Sequence, residues 1–232
     1  MNSRHRPSQG LDQVLRSAAR LQELVPDAVL VGGAAAALYA GHRESFDHDH
    51  VLTDLAARYD QVLEAVEASD GWATSVRASS PPMTILGSLD GVEAGLRQMR
   101  RVRPLETAEV AIDGDTTVVV PTLDEMLRVK AFLIVQRNYV RDYLDVVALA
   151  NELGMDDAAG TLRDIDTYYA DRSEEVGSVM TTLVGRLAKP DPRDRDVIPE
   201  LPRYKGLDKR WHQWSSVIEA CQQLSLRIAQ AD

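Results

Sequence analysis

Cysteine is almost missing from this chain. One, Cys221, stands in 232 residues, which excludes an internal disulfide framework and fits a reducing, cytoplasmic compartment. Long apolar runs are missing too: none approaches the roughly 18 residues a membrane span needs, so no membrane is expected. Residues 1–10 are polar and basic with no apolar core behind them, so no export signal is expected either. Positive charge is in deficit, with 26 Lys and Arg against 36 Asp and Glu and a formal net charge of −10. That argues against a generally basic surface of the kind that gives non-specific nucleic-acid affinity by neutralising phosphates. The densest local exception is Arg97, Arg100, Arg101 and Arg103, readable equally as a solvated edge or as a phosphate-contacting stripe. Internal repeats and long low-complexity segments are also lacking.

What is present is ordinary for a globular protein: 44% hydrophobic and 27% charged residues, enough chain for one large domain or two modest ones. Leu11, Val14, Leu15, Ala18, Leu21 and Leu24 form a helical stripe. A buried strand is expected over Ala28–Val31, a turn at Gly32-Gly33 and an alanine-rich helix over Ala34–Ala40. Phe46–Leu52 reads as the next strand and Asp54–Ser69 as a helix. Four or five strands are expected between Gly71 and Val120, with hairpin turns at Asp90-Gly91 and Asp113-Gly114. After Pro121 the pattern becomes helical. Thr122 and Glu125 resemble a capping box, and helices are expected over Leu123–Arg137, Arg141–Leu153 and Trp211–Ala229. The proline-rich stretch Lys189–Lys209 is expected to be an extended connection. The fold class is therefore α+β: a mixed β-sheet with flanking helices over residues 1–121, then a helical domain over 122–232.

The sharpest local feature is Val31-Gly32-Gly33 followed, thirteen residues on, by Asp47-His48-Asp49. Alternate residues of a strand share a face, so the two carboxylates point the same way with their α-carbons roughly 6–7 Å apart. Like charges so placed repel unless a cation lies between them. Mg2+ suits that position, since it takes oxygen ligands and keeps open positions for water and phosphate. A glycine turn running directly into a helix lets backbone N–H groups approach a phosphate. Each piece has a plain structural reading, a tight turn and a solvated strand edge, but their order and spacing describe a site for a metal-bound nucleoside triphosphate.

The run Val31-Gly32-Gly33 … Arg43-Glu44-Ser45-Phe46-Asp47-His48-Asp49 resembles the signature of the DNA polymerase β-like nucleotidyltransferases, especially the AbiEii and MenT toxins. Lys130 and Arg141-Asp142-Tyr143-Leu144-Asp145 resemble that family's later Lys … Arg-Asp-x-x-Asp motif. The resemblance spans residues 27–153 and implies the following roles. Asp47 and Asp49 hold Mg2+ or Mn2+. Gly32, Gly33, Arg43 and Ser45 meet the triphosphate. Lys130 neutralises phosphate charge, and Asp142 completes the site from the helical half. A third metal-binding acid is expected on a later strand: Glu93, with Asp90 and Glu109 as alternatives. For Arg141 and Asp145 an ordinary ion pair one helical turn apart is the competing explanation.

The implied chemistry is in-line displacement at the α-phosphate of an NTP, assisted by two metal ions about 3.5–4 Å apart. No covalent nucleophile is needed, and Cys221 lies far from every motif. His42, His48 and His50 raise the question of zinc, but His48 and His50 fall on the strand face opposite the aspartates. Three functions compete: a toxin-like enzyme adding nucleotides to tRNA and restrained by an antitoxin, nucleotidyl transfer to a protein or small molecule, and a non-catalytic nucleotide-binding module. The acidic net charge favours the second over the first, and the intact Asp-x-Asp argues against the third.

Overall fold

In a computed structural model, which describes residues 9–230, the chain forms two compact units. One comprises residues up to Leu38 together with Glu44–Thr122; the other comprises Tyr39–Arg43 and the chain from Leu123 onward. The five residues 39–43 thus belong with the helices, a detail that a single boundary near residue 121 does not capture.

The first unit is built on a five-stranded mixed sheet in the order β1-β2-β5-β4-β3. Its strands are β1 (Val29–Val31), β2 (Asp47–Leu52), β3 (Trp72–Thr74), β4 (Thr84–Leu89) and β5 (Val92–Gln98). The β2–β5 pairing is parallel; the others are antiparallel. β4 and β5 are joined through Asp90-Gly91, both at positive φ (52° and 79°), as a two-residue hairpin requires. Helices α1 (Gln9–Leu24) and α3 (Tyr59–Glu67) cover one face of the sheet. There Leu21, Val25, Val62 and Val66 pack with Leu52, Ile85, Leu89, Ala94 and Leu96 from alternate strand positions. Those alternate positions explain the sequence pattern: each strand sends every second side chain into this core and the rest to the opposite face. A separate hairpin, β6 (Thr107–Asp113) with β7 (Thr116–Pro121), is tied to α1 by the side chain of Gln22, which bonds both Val119 N and Val119 O at 2.8 Å.

Two expectations for the helices of this unit are corrected. Helix α2 (Gly32–Ala40) begins on Gly32 itself, so the glycines open the helix instead of preceding it. The helix expected over Asp54–Ser69 splits into a 3-10 turn, Leu55–Ala57, and the shorter α3.

The second unit is helical: α4 (Leu123–Gln136), α5 (Val140–Leu153), α6 (Met155–Arg163), α7 (Ile165–Tyr168), α8 (Ser173–Val176), α9 (Val179–Ala188) and α10 (Trp214–Ala229). Gly154, at φ 96°, ends α5. The proline-rich connection is not extended. Residues Arg195–Arg203 form 3-10 turns that contain Pro199 and Pro202, because proline's fixed φ suits such a turn. This segment is pinned by Asp194, which accepts from Val140 N at 2.8 Å, and by Asp208 N, which donates to His42 O at 2.8 Å. Trp211 is buried in a 3-10 turn ahead of α10.

Candidate functional site

The face of the sheet opposite α1 and α3 carries the polar constellation. β2 alternates: His48, His50 and Leu52 are buried, whereas Asp47 is exposed and Asp49 and Val51 are half-buried. Asp47 lies opposite Glu93 in the parallel register and Asp49 lies opposite Gly95. Partners in a parallel ladder project to the same side, so Glu93 joins the two aspartates on this face, at the same level as Asp47. Asp90 sits in the β4–β5 turn and pairs with Arg20, and Glu109 lies on the separate hairpin. Of the three acids considered, the register brings Glu93 to the pair.

Asp47 is oriented by its neighbour: the Ser45 hydroxyl, almost wholly buried, donates to Asp47 Oδ1 at 3.0 Å. Ser45 thus positions a carboxylate here. Asp49 is seated between two glycines. A Cβ built on Gly32 would lie 3.4 Å from Asp49 Oδ2, and one on Gly95 would lie 2.5 Å from Oδ1. Gly32 also has φ +74°, a backbone that side-chain-bearing residues rarely adopt. Glycine at both positions leaves room for the carboxylate beside β5 and the N-terminus of α2. Oδ1 accepts from Arg97 Nε at 3.1 Å. Gly33 follows in the first turn of α2.

Three carboxylates on one face, two of them open to water, are hard oxygen donors of the type Mg2+ and Mn2+ take. The donor set fits a divalent cation. Among the described residues, however, no three His, Cys, Asp or Glu side chains form a group that could hold a metal ion as they stand; Asp47 is engaged by Ser45 and Asp49 by Arg97.

The histidines have other work. His48 Nε2 and the Ser17 hydroxyl of α1 are 3.0 Å apart, and His48 meets His50 edge to face at 5.3 Å between ring centroids. Burial lowers the His48 pKa to about 4, and burial with the neighbouring His48 holds His50 well below its usual value. Both are neutral core residues near neutral pH.

The second unit contains a buried ionic cluster. Asp145, with no solvent exposure, accepts from Arg43 Nε (2.7 Å) and Nη2 (3.1 Å). It also pairs with Lys130 Nζ at 2.7 Å and with His42 Nε2 at 2.8 Å. Burial alone would raise the Asp145 pKa, but Arg43, Lys130 and the His42 hydrogen bond together hold it well below the usual carboxylate range. Burial in turn lowers the pKa of Lys130 and of His42. Lys130 is 2% exposed, so its ammonium is committed to Asp145 rather than presented to a ligand. Asp142, also fully buried, is held bidentately by Arg137 at 2.6–3.0 Å and caps α5 by accepting from Tyr139 N at 3.1 Å. The ordinary ion pair between Arg141 and Asp145 does not form; Arg141 lies 5.8 Å from the centroid of the Tyr139 ring.

The arginine run is not a uniform basic stripe. Arg97 engages Asp49. Arg101 is buried and donates to the backbone oxygens of Arg103 and Pro104 at 2.9 and 3.0 Å. Arg103 lies 3.6 Å from Glu106. Sequence reasoning did not single out Gly95, the Arg97–Asp49 pair or the buried cluster around Asp145; only the strand register and tertiary packing bring those residues together.

A solved structure shares this backbone. MenT4, a nucleotidyltransferase toxin from Mycobacterium tuberculosis H37Rv, superposes with a TM-score of 0.55 at 16% identity, over 96% of this chain and 84% of that one. The fold is nucleotidyltransferase-like. No protein-family model matches the sequence. Among curated proteins, the chain is 31% identical over 195 residues to the heme uptake protein MmpL11 of Mycobacterium tuberculosis, covering 81% of this chain and 20% of that protein. It is 26% identical over 239 residues to the probable transport protein MmpL11 of Mycobacterium leprae, covering 81% and 24%. The chain therefore spans only about a fifth to a quarter of the length of these relatives. Among the described residues no helix is long and apolar enough to cross a membrane.

Proposed function

We propose that this chain is a metal-dependent nucleotidyltransferase that moves NMP from an NTP to the acceptor end of an RNA, tRNA in the first instance, in the manner of a cytoplasmic toxin restrained by an antitoxin. The observation that carries the reading is the open sheet face on which Asp47, Asp49 and Glu93 stand together beside the N-terminus of α2. In this reading Asp47, Asp49 and Glu93 hold Mg2+ or Mn2+, which supplies charge stabilisation and activation of the attacking hydroxyl. The backbone N–H groups at Gly32 and Gly33 receive the triphosphate, helped by the positive end of the α2 dipole. Ser45, which donates to Asp47 Oδ1, holds that carboxylate in place for the cation. The acceptor hydroxyl attacks the α-phosphorus, its proton passes to a carboxylate of this face, and pyrophosphate leaves. Arg43, Lys130 and Asp142 are members of buried ion pairs within the helical unit.

The test is incubation with each α-labelled NTP, Mg2+ and total tRNA, beside Asp49→Ala. Label in tRNA that is lost in the variant supports the reading and names the base. Label that appears only in protein or a small product moves the acceptor to those classes. A second reading is favoured by one observation: the curated relatives are named as a heme uptake protein and a probable transport protein, and each is about four to five times as long as the aligned segment. On that reading the domain is a nucleotide-binding module, and it binds NTP without releasing pyrophosphate.

A further inference from the structure

The carboxylate face contains a positive charge of its own. Arg97 stands two residues past Gly95 on the same side of β5, and its Nε donates to Asp49 Oδ1 at 3.1 Å. That oxygen is the one on the β5 side, over Gly95, and β5 is also the strand that brings Glu93. The other oxygen, Oδ2, lies against Gly32 and the start of α2. A cation held by Asp49 together with Glu93 and Asp47 would compete with Arg97 for the carboxylate of Asp49. The pair is partly exposed, with side-chain exposures of 45% for Arg97 and 32% for Asp49, so it is held weakly and can exchange. A guanidinium set free at this spot is a planar fork suited to phosphate oxygens.

We propose that Arg97 is a resident counter-ion of Asp49: it gives up Oδ1 when a divalent cation takes that oxygen, and turns to the phosphates of the incoming nucleotide. The proposal rests on the cation site described under Proposed function. It makes phosphate capture conditional on cation binding, because Arg97 serves one anion or the other. It also explains why β5 has glycine opposite Asp49: an alanine Cβ, 2.5 Å from Oδ1 and 3.0 Å from Leu86 Cδ2, would displace the carboxylate from the position where Arg97 meets it.

The test is a Mn2+ titration of the full chain, read as the electron paramagnetic resonance signal of free Mn2+, on wild type, Arg97→Gln, Asp49→Asn and the remote exposed-loop control Arg77→Gln. Removing a competing charge from the carboxylate is expected to tighten Mn2+ binding about three- to tenfold in Arg97→Gln. Arg77→Gln should bind as wild type and Asp49→Asn at least about tenfold more weakly. At saturating Mn2+, Arg97→Gln should bind NTP about tenfold more weakly than wild type, having lost a charged phosphate contact. If wild type binds Mn2+ through Asp49 but Arg97→Gln binds it no more tightly, the exchange is refuted and the cation site stands. If Arg97→Gln binds Mn2+ more tightly yet binds NTP unchanged, the transfer of Arg97 to phosphate is refuted. If wild type binds no Mn2+, both this inference and the reading beneath it fail.

Discussion

Replacing Asp145 with alanine exposes how much of the helical unit rests on one carboxylate. The side chain is fully buried and is met by Arg43, Lys130 and His42 at 2.7–2.8 Å. Without it, two cations that are 5% and 2% exposed lose their counter-charge. Breaking a buried ion pair from one side costs about 3–5 kcal/mol, because the partner is left uncompensated. At about 2–4 °C per kcal/mol for a chain of this size, Tm should fall by about 6–20 °C. Arg43 cannot lose its proton, whereas Lys130, its pKa already lowered by burial, can. In the variant Lys130 binds fewer protons folded than unfolded, so stability should rise with pH toward the unfolded lysine value of about 10.4. Thermal unfolding followed by circular dichroism at pH 7 and pH 9 checks both points. An Asp145→Ala variant that melts within about 2 °C of wild type at pH 7 would refute the argument that this cluster is a structural anchor.

Other consequences follow from the same geometry. His48 is neutral in the fold with a pKa near 4, so as pH drops below about 6.5 the unfolded chain gains protons that the folded chain refuses. This costs about 3 kcal/mol by pH 4, and urea unfolding at pH 7 and pH 4.5 should show a smaller loss in His48→Gln than in wild type. Gly95→Ala should keep the fold, as judged by its circular dichroism, yet lower NTP turnover at least about tenfold by moving Asp49, since about 1 Å at a reacting group can cost about a hundredfold. Turnover equal to wild type would mean that the seat of Asp49 is unimportant. Cys221 is buried and its thiol pKa is pushed up by burial, so a thiol reagent at pH 8 should label it only after denaturation; rapid labelling of the native chain would contradict its place in the core.

How far the sequence discloses this site depends on whether the relevant contact is local. Asp47 and Asp49 are legible because strand periodicity alone puts them on one face, and the hairpin at Asp90-Gly91 is legible because so few residues accept positive φ at both central positions. Glu93 can be proposed from sequence, but its alignment with Asp47 follows only from the β2–β5 register. Arg97 and Asp49 are 48 residues apart, and no local pattern announces that pair. The Arg-Asp-x-x-Asp run shows the same limit in reverse. Helical spacing offers Arg141 to Asp145, but Arg43, 102 residues away, takes that carboxylate, while Asp142 is used locally as a cap. Burial decides between them: the interior cluster gains from a cation that can be fully enclosed, and Arg141 is exposed. The stretch around Pro199 and Pro202 reads as extended from composition, yet the φ that proline enforces also fits the 3-10 turns that form.

The most direct test of the central claim is pyrophosphate release from each NTP by the purified chain, with Mg2+ and a pool of cellular RNA, beside Asp47→Asn and Asp49→Asn. The account predicts release in step with transfer of the nucleotide to an acceptor, and a fall of at least about a hundredfold in either variant with the fold intact. Nucleotide binding with no pyrophosphate released from any NTP would contradict it and leave a binding module on a nucleotidyltransferase fold.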